Sequence, residues 1–281
     1  MYSMTLLSTS LSIEPSQLYV ADIADMTKFY RDMVGLEVLE SSKTRALLGR
    51  DNVGVIELIS KPKLAHGNPR DAGLFHNAIL FDSRGELARS AGNVLLARPD
   101  LFTGTADHLV SEAFYFNDPE GNGLELYFDQ PSDTWKWVNG QITMDTLYVD
   151  PIQYLQTHGS TYDKKDLKLG HVHLRVGDIS QARQFYVNTL GFDITAMMPG
   201  ALFVSVAGYH HHIALNTWMS EGAGKRVMTL GLSDIVIHLD EVEDLAKLEK
   251  RIQEAKLKYT EKSGALRVSD PWGNKLTFTA P

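Results

Sequence analysis

The chain contains no cysteine. That excludes disulfides, a thiolate nucleophile and sulfur ligands to a metal. It also lacks any apolar run near the ~18 residues needed to span a bilayer, so no membrane partner is expected. The opening stretch, "MYSMTLLSTSLSIEP", has no basic segment followed by an apolar one. No secretory signal is therefore read, and the cytoplasm is the expected compartment. Basic residues are few: 27 Lys and Arg stand against 35 Asp and Glu, a formal net charge of -8. Nucleic acid, which demands a basic surface, is not an expected partner.

What is present is ample apolar material. The 281 residues are 43% hydrophobic, enough for two domains or one large one. The chain also repeats itself. "LYVADIADMTKFYRDMVGLEVL" aligns without a gap to "LRVGDISQARQFYVNTLGFDIT". Leu18, Val20, Asp22, Ile23, Phe29, Tyr30 and Gly35 match Leu174, Val176, Asp178, Ile179, Phe185, Tyr186 and Gly191. Each stretch reads as a strand, a helix capped by a polar residue, and a glycine stop. "LFHNAILFDSRGELA" and "LSDIVIHLDEVEDLA" make a second matched pair. Each of these leads to an Asp-Pro-x-Gly-Asn turn, in "NDPEGNGLELYF" and "SDPWGNKLTFTA". Proline fixes one backbone angle there, and Gly and Asn tolerate positive ones.

Four units follow, at roughly 13–60, 72–130, 168–219 and 229–280, each a strand, a helix and about three more strands. The first two make a region 1–130 and the last two a region 168–281. The connector 131–167 is expected to pack on the surface.

The informative positions are those where the copies differ. His171 opens unit three where unit one has Pro15. His76 opens unit two where unit four has Asp234, and Glu125 closes unit two where unit four has Thr277. Three potential metal ligands survive, all in the middle units. A lone histidine in a strand is more often a hydrogen-bonded structural residue, and a strand glutamate more often a solvated one, but the joint pattern is harder to dismiss. If units two and three pair, two imidazoles and one carboxylate face one cavity, the facial triad of non-haem Fe(II) enzymes. If units pair one with two and three with four, the triad is split. Alternation places His171, His173 and Arg175 on one face of "HVHLRV", and Glu125 and Tyr127 on one face of "LELY".

These repeats, the "DPxGN" turn followed by Glu125, and the "GHVHLRV" start resemble the vicinal oxygen chelate superfamily, and within it the two-domain extradiol dioxygenases of the catechol 2,3-dioxygenase type. The resemblance implies an α+β fold in which four βαβββ modules pair into two open mixed β-barrels. It implies a metal site of His76, Glu125 and His171, holding Fe(2+), with Mn(2+) accepting the same donors. It implies an enzyme that cleaves a small aromatic diol with O2, in a class that often forms homo-oligomers. Extradiol enzymes carry an acid–base histidine ahead of a run such as Ile-Ala-Leu, which "HHHIAL" matches at His211. A neutral imidazole suits that proton transfer. Tyr115, ten residues before Glu125, matches the family's active-site tyrosine. His108, His173, His210 and His212 are candidates for substrate contact, with His210 and His212 on the face opposite His211 by alternation.

Two rivals share the fold. A glyoxalase-like isomerase would add Glu57 as a further ligand if units one and two paired. A metal-free binding or resistance protein would use the cavity alone.

Overall fold

Each repeat folds as one strand, one helix and three further strands. In the computed structural model, which describes residues 6–160 and 166–281, module one runs Ser16–Val20, helix Ile23–Lys28, then Glu37–Ser41, Arg45–Arg50 and Val53–Ser60. Module two runs Gly73–Phe81, helix Arg84–Ala97, then Phe102–Asp107, Ser111–Asn117 and Gly123–Asp129. Module three runs Leu167–Arg175, helix Ile179–Arg183, then Asp193–Met198, Ala201–Ser205 and Ile213–Asn216. Module four runs Gly231–Leu239, helix Val242–Glu254, then Tyr259–Lys262, Ala265–Ser269 and Lys275–Thr279.

The matched residues of the repeat do matched work. Asp22 and Asp178 cap their helices, accepting hydrogen bonds from Asp25 N at 3.0 Å and from Gln181 N at 2.7 Å. Both helices continue into a π-helical turn, Phe29–Val34 and Gln184–Thr189, in which two successive aromatics are buried. Gly35 follows the first of these turns in the left-handed conformation, with φ of 88°.

The modules pair two with three and one with four. Strand Gly73–Phe81 runs antiparallel to Leu167–Arg175 at the centre of an eight-stranded sheet. Ser16–Val20 does the same with Gly231–Leu239 in a nine-stranded sheet, which the short strand Leu11–Ile13 also joins. The chain is α+β, with two curled mixed sheets of the vicinal oxygen chelate type. Each sheet therefore draws one module from each half of the chain.

Sequence neighbours are tied in another way. Tyr30 of module one donates a hydrogen bond to Asp118, in the turn of module two, at 3.1 Å. Tyr186 of module three donates to Asp270, in the turn of module four, also at 3.1 Å. A buried ion pair of Arg50 with Glu86 adds to the first tie, at 2.6 Å. Strand pairing thus joins two to three and one to four, while helix-to-turn contacts join one to two and three to four. The four modules close into a ring of contacts.

The connector does more than cover surface. Its helix Pro151–His158 lies against helix Arg84–Ala97, where Gly92 leaves room for Leu155. Tyr154 donates to Glu112 at 2.9 Å, and Ile142 is buried beside Phe203 in a small apolar cluster.

The turn aspartate generates a test. Burial pushes the Asp118 carboxyl up, and hydrogen bonds from Asn122, Tyr30 and Glu120 hold it back to about 6. The folded chain binds this proton more tightly than the unfolded chain does. Its contribution is therefore fully present below the unfolded pKa and is lost as pH rises from about 4 through about 6. Urea unfolding across that window should show a decline, from this group, of up to about 1.4 kcal/mol per pH unit. Asp118→Asn should flatten the slope; an unchanged slope would contradict the assignment.

Candidate metal centre and active site

Sheet register builds the site. On the concave face of the eight-stranded sheet, His171 pairs with Ala78, Ala78 with Glu125, and Glu125 with Tyr115. One row further along, His173 pairs with His76, and His76 with Gly123. Ala78 is the small member of its row, so the side chains of His171 and Glu125 can meet over it. Gly123 is required by close approach, because a Cβ there would lie 2.0 Å from Phe75 O. Register shifts flank the Leu167–Arg175 pairing on both sides of His171 and His173. Gly170, inside the first shift, lets Tyr127 come close; a Cβ there would lie 1.8 Å from its hydroxyl.

His76, Glu125 and His171 converge, with one potential ligand atom from each lying within 4.8 Å of the others. Glu125 Oε2 is 2.9 Å from His76 Nε2 and 3.2 Å from His171 Nε2. All three residues are buried. His76 Nε2 is buried and, although 2.9 Å from Glu125 Oε2, has no hydrogen-bond geometry to it or to any other group. Such an orphaned atom is what a metal ligand looks like without its ion. The spacing also fits, since neighbouring ligands of an octahedral ion with bonds of ~2.1 Å lie ~3 Å apart. A group of two imidazoles and one carboxylate could hold a divalent metal.

The protonation states agree with that use. Burial pushes the Glu125 carboxyl up, but His171 and His76 outweigh it and hold the group well below the usual carboxylate range. Burial drives His171 down to about 4 against the pull of Glu125. At neutral pH the donors are a carboxylate and a neutral imidazole, the forms that bind metal. His171 Nδ1 has no hydrogen-bond partner, so packing orients its ring, with His211 at 4.1 Å and Tyr127 at 4.9 Å between ring centres.

His76 and Glu125 of this group line a cavity of about 530 Å3 that also receives Tyr115, His108, His173 and His211. His108 Nδ1 lies 2.7 Å from Asp145 O and must donate to it, and in the neutral imidazole its Nε2 then accepts from the Tyr115 hydroxyl at 2.7 Å. Burial, and then Glu125, raises the Tyr115 phenol well above its ordinary pKa. His173 lies 4.8 Å from His76 between ring centres, with its Nε2 2.9 Å from Asn216 Nδ2. Burial holds His173 and His211 well below the ordinary imidazole range.

The three consecutive histidines part company. They lie in a bend ahead of strand Ile213–Asn216 rather than on it, so the expectation that His210 and His212 share one strand face is corrected. His211 faces the cavity. His210 is buried behind it, with Nδ1 2.8 Å from His211 Nδ1 and Nε2 2.8 Å from Asp129 Oδ1. His212 turns to the other side of the sheet and meets Ser205 Oγ at 2.7 Å, outside the cavity. Neither His210 nor His212 is a cavity-lining residue, contrary to the substrate contact expected of them. The Asp129 contact sets a proton order, because a carboxylate only accepts. His210 Nε2 therefore donates to it, and a neutral His210 then accepts from His211 Nδ1–H. His211 Nε2 is left as a free lone pair.

Other positions fall elsewhere. Glu57 lies on the nine-stranded sheet, paired with Arg45, and does not approach His76. In that sheet the counterparts of His76 and Glu125 are Asp234 and Thr277, joined by a hydrogen bond of 2.9 Å. Sequence reading missed the cavity wall of Phe75, Met144, Met198, Phe203 and Trp218, and the supporting Asp129. Aromatic and methionine residues scattered over a chain carry no spacing signal, and Met144 belongs to the connector.

The curled sheets define a member of the vicinal oxygen chelate class, with a group that could hold a metal. The chain belongs to the Glyoxalase/Bleomycin resistance protein/Dioxygenase superfamily, whose family model matches residues 12–126 and 168–278. It is similar to Catechol-2,3-dioxygenase of Bacillus subtilis (strain 168), 34% identical over 285 residues that cover 98% of this chain and 99% of that protein. Among solved structures, glyoxalase I from Zea mays aligns with a TM-score of 0.60 and 18% identity, covering 96% of this chain and 92% of that one. The cppA protein from Streptococcus pneumoniae TIGR4 aligns at 0.55 and 12%, covering 96% and 98%. These two likenesses concern the fold.

Metal binding should be measurable as stability. Anaerobic Fe(II) at 100 times its dissociation constant should stabilise the fold by about 2.7 kcal/mol. Glu125→Gln should weaken binding at least ~100-fold, beyond the ~10–100-fold that loss of an outer-shell partner costs. An unchanged titration in that variant would remove Glu125 from the ligand set.

Proposed function

We propose that this chain is a non-haem Fe(II) extradiol dioxygenase that opens a catechol-type ring with O2. The observation that carries the reading is the convergence of His76, Glu125 and His171, two of which, His76 and Glu125, line a cavity that His211 and Tyr115 also face. The similarity to Catechol-2,3-dioxygenase of Bacillus subtilis supports it. Mn(II) would meet the same hard donors.

A divalent metal held by His76, Glu125 and His171 would supply a Lewis acid for the diol and for O2. The rest is the work of this chain. His211 Nε2 takes a proton from the second hydroxyl, with His210 and Asp129 behind it holding the imidazole in the accepting tautomer. The Tyr115 hydroxyl, held by His108, orients a diol oxygen. His173 packs beside the ring site, and the apolar wall excludes water. The reaction balances without a reductant. The ring bond beside the diol breaks, both atoms of O2 enter the product, and the ring supplies the electrons to give a semialdehyde. The isomerase rival would need a further carboxylate ligand, and Glu57 lies on the other sheet.

The test is oxygen consumption by iron-loaded protein given catechol, with absorbance followed for a yellow ring-fission product. His76→Ala should lose both. His211→Asn should keep its iron and lose about 10²–10⁴ in kcat. Tight iron binding with no oxygen uptake on any catechol would overturn the reading.

A further inference from the structure

We infer that the preferred substrates are catechols bearing an uncharged, apolar substituent, and that carboxylated catechols are discriminated against; this rests on the reading of the site as an extradiol centre. The apolar part of the cavity wall is formed by Phe75, Met144, Met198, Phe203 and Trp218. Its volume, about 530 Å3, falls in the range of roughly 300–1,000 Å3 that accommodates ligands larger than a bare diol ring. Two of the wall residues are methionines, whose unbranched side chains adapt to substituents of different shape.

Charge decides between substituent classes. Among the described residues that line the cavity there is no lysine and no arginine, and its charged groups are the carboxylates of Glu125 and Asp145. Glu125 is taken up by the metal centre, so Asp145 gives the mouth a negative charge. The chain's cations lie elsewhere. Arg175 and Arg226 line a separate cleft next to Phe75 and Gly123. They are engaged there, Arg175 donating to Asp71 O at 3.1 Å and Arg226 to Leu232 O at 2.9 Å. Arg45, Lys61, Arg267 and Lys275 gather on the other sheet. A carboxylate on the substrate would meet neutral groups such as Thr103, Thr105, Asn117 and Thr146 but no lysine or arginine, with a like charge nearby, which disfavours its desolvation. An alkyl or aryl group in the same place gains from burial against aromatic and thioether side chains.

The experiment compares matched substrates on iron-loaded protein. Rates of oxygen uptake would be taken with catechol, 4-ethylcatechol and 3-phenylcatechol, and with 3,4-dihydroxybenzoate and 3,4-dihydroxyphenylacetate. Anaerobic dissociation constants for the same set would be read from tryptophan fluorescence, since Trp218 lines the cavity. We expect kcat/KM for the alkyl and aryl catechols to equal or exceed that of catechol, and to exceed that of the carboxylated compounds at least 100-fold. The dissociation constants should follow the same order. Met144→Arg should shift the ratio toward the carboxylated compounds at least tenfold. Carboxylated catechols bound or cleaved within threefold of the uncharged ones would overturn this inference and leave the dioxygenase reading standing. No uptake with any catechol would overturn that reading instead, and the binding order would still decide between charged and uncharged substituents.

Discussion

Everything at the site depends on one strand pairing, Gly73–Phe81 against Leu167–Arg175. These strands are about ninety residues apart in the chain, and each opens a different module. Their antiparallel register sets His173 beside His76 and His171 beside Ala78, with Glu125 on the next strand over. No local interaction could bring these groups together. A shift of one residue would send every side chain of one strand to the opposite face and dismantle the triad. The shifts around Gly170 and after His173 belong to this arrangement, because they are where the strand bends around the site.

The second constraint is burial of charge. Glu125 is a buried carboxylate, and such a group persists only when it is paired or bound to metal. Two imidazoles serve as its partners in the chain itself, but His76 Nε2 approaches it without hydrogen-bond geometry, so they do not satisfy one another fully. The arrangement is complementary to a cation more than to itself. Asp129 plays a comparable part behind His211. It is a partly exposed carboxylate that fixes which ring nitrogens of His210 and His211 carry protons. Two carboxylates thus give direction to four histidines, Glu125 to His76 and His171, and Asp129 to His210 and through it to His211.

The other sheet shows what the same framework does without this constellation. At the places of His76 and Glu125 it has Asp234 and Thr277, hydrogen-bonded to each other, with Arg267 3.2 Å from the aspartate. Both contacts fall on Asp234 Oδ2, and among the described residues no group of three potential metal ligands converges there. The turns Asp118–Asn122 and Asp270–Asn274 remain nearly identical in both sheets because they serve the fold, receiving the Tyr30 and Tyr186 hydroxyls. Framework and site have therefore diverged separately within one chain.

The sequence alone determined the modules, since strand, helix and turn signals are local and the two halves repeat them residue for residue. It also singled out His76, Glu125 and His171, because divergence between matched copies marks positions the fold does not require. Tyr115 came from the family resemblance, which sets a tyrosine ten residues before the closing-strand glutamate, and it is a direct cross-strand neighbour of Glu125. Only the tertiary structure decided which modules pair, because either pairing satisfies the same strand patterns. It alone separated His210, His211 and His212, which lie in a bend where strand alternation does not operate. It alone brought Met144 and Asp145 from the connector to the cavity, and Phe75, Phe203 and Trp218 to its wall. A cavity wall is assembled from residues distant in sequence, and burial of apolar surface is non-directional, so it leaves no period or spacing for a reader of the chain to find.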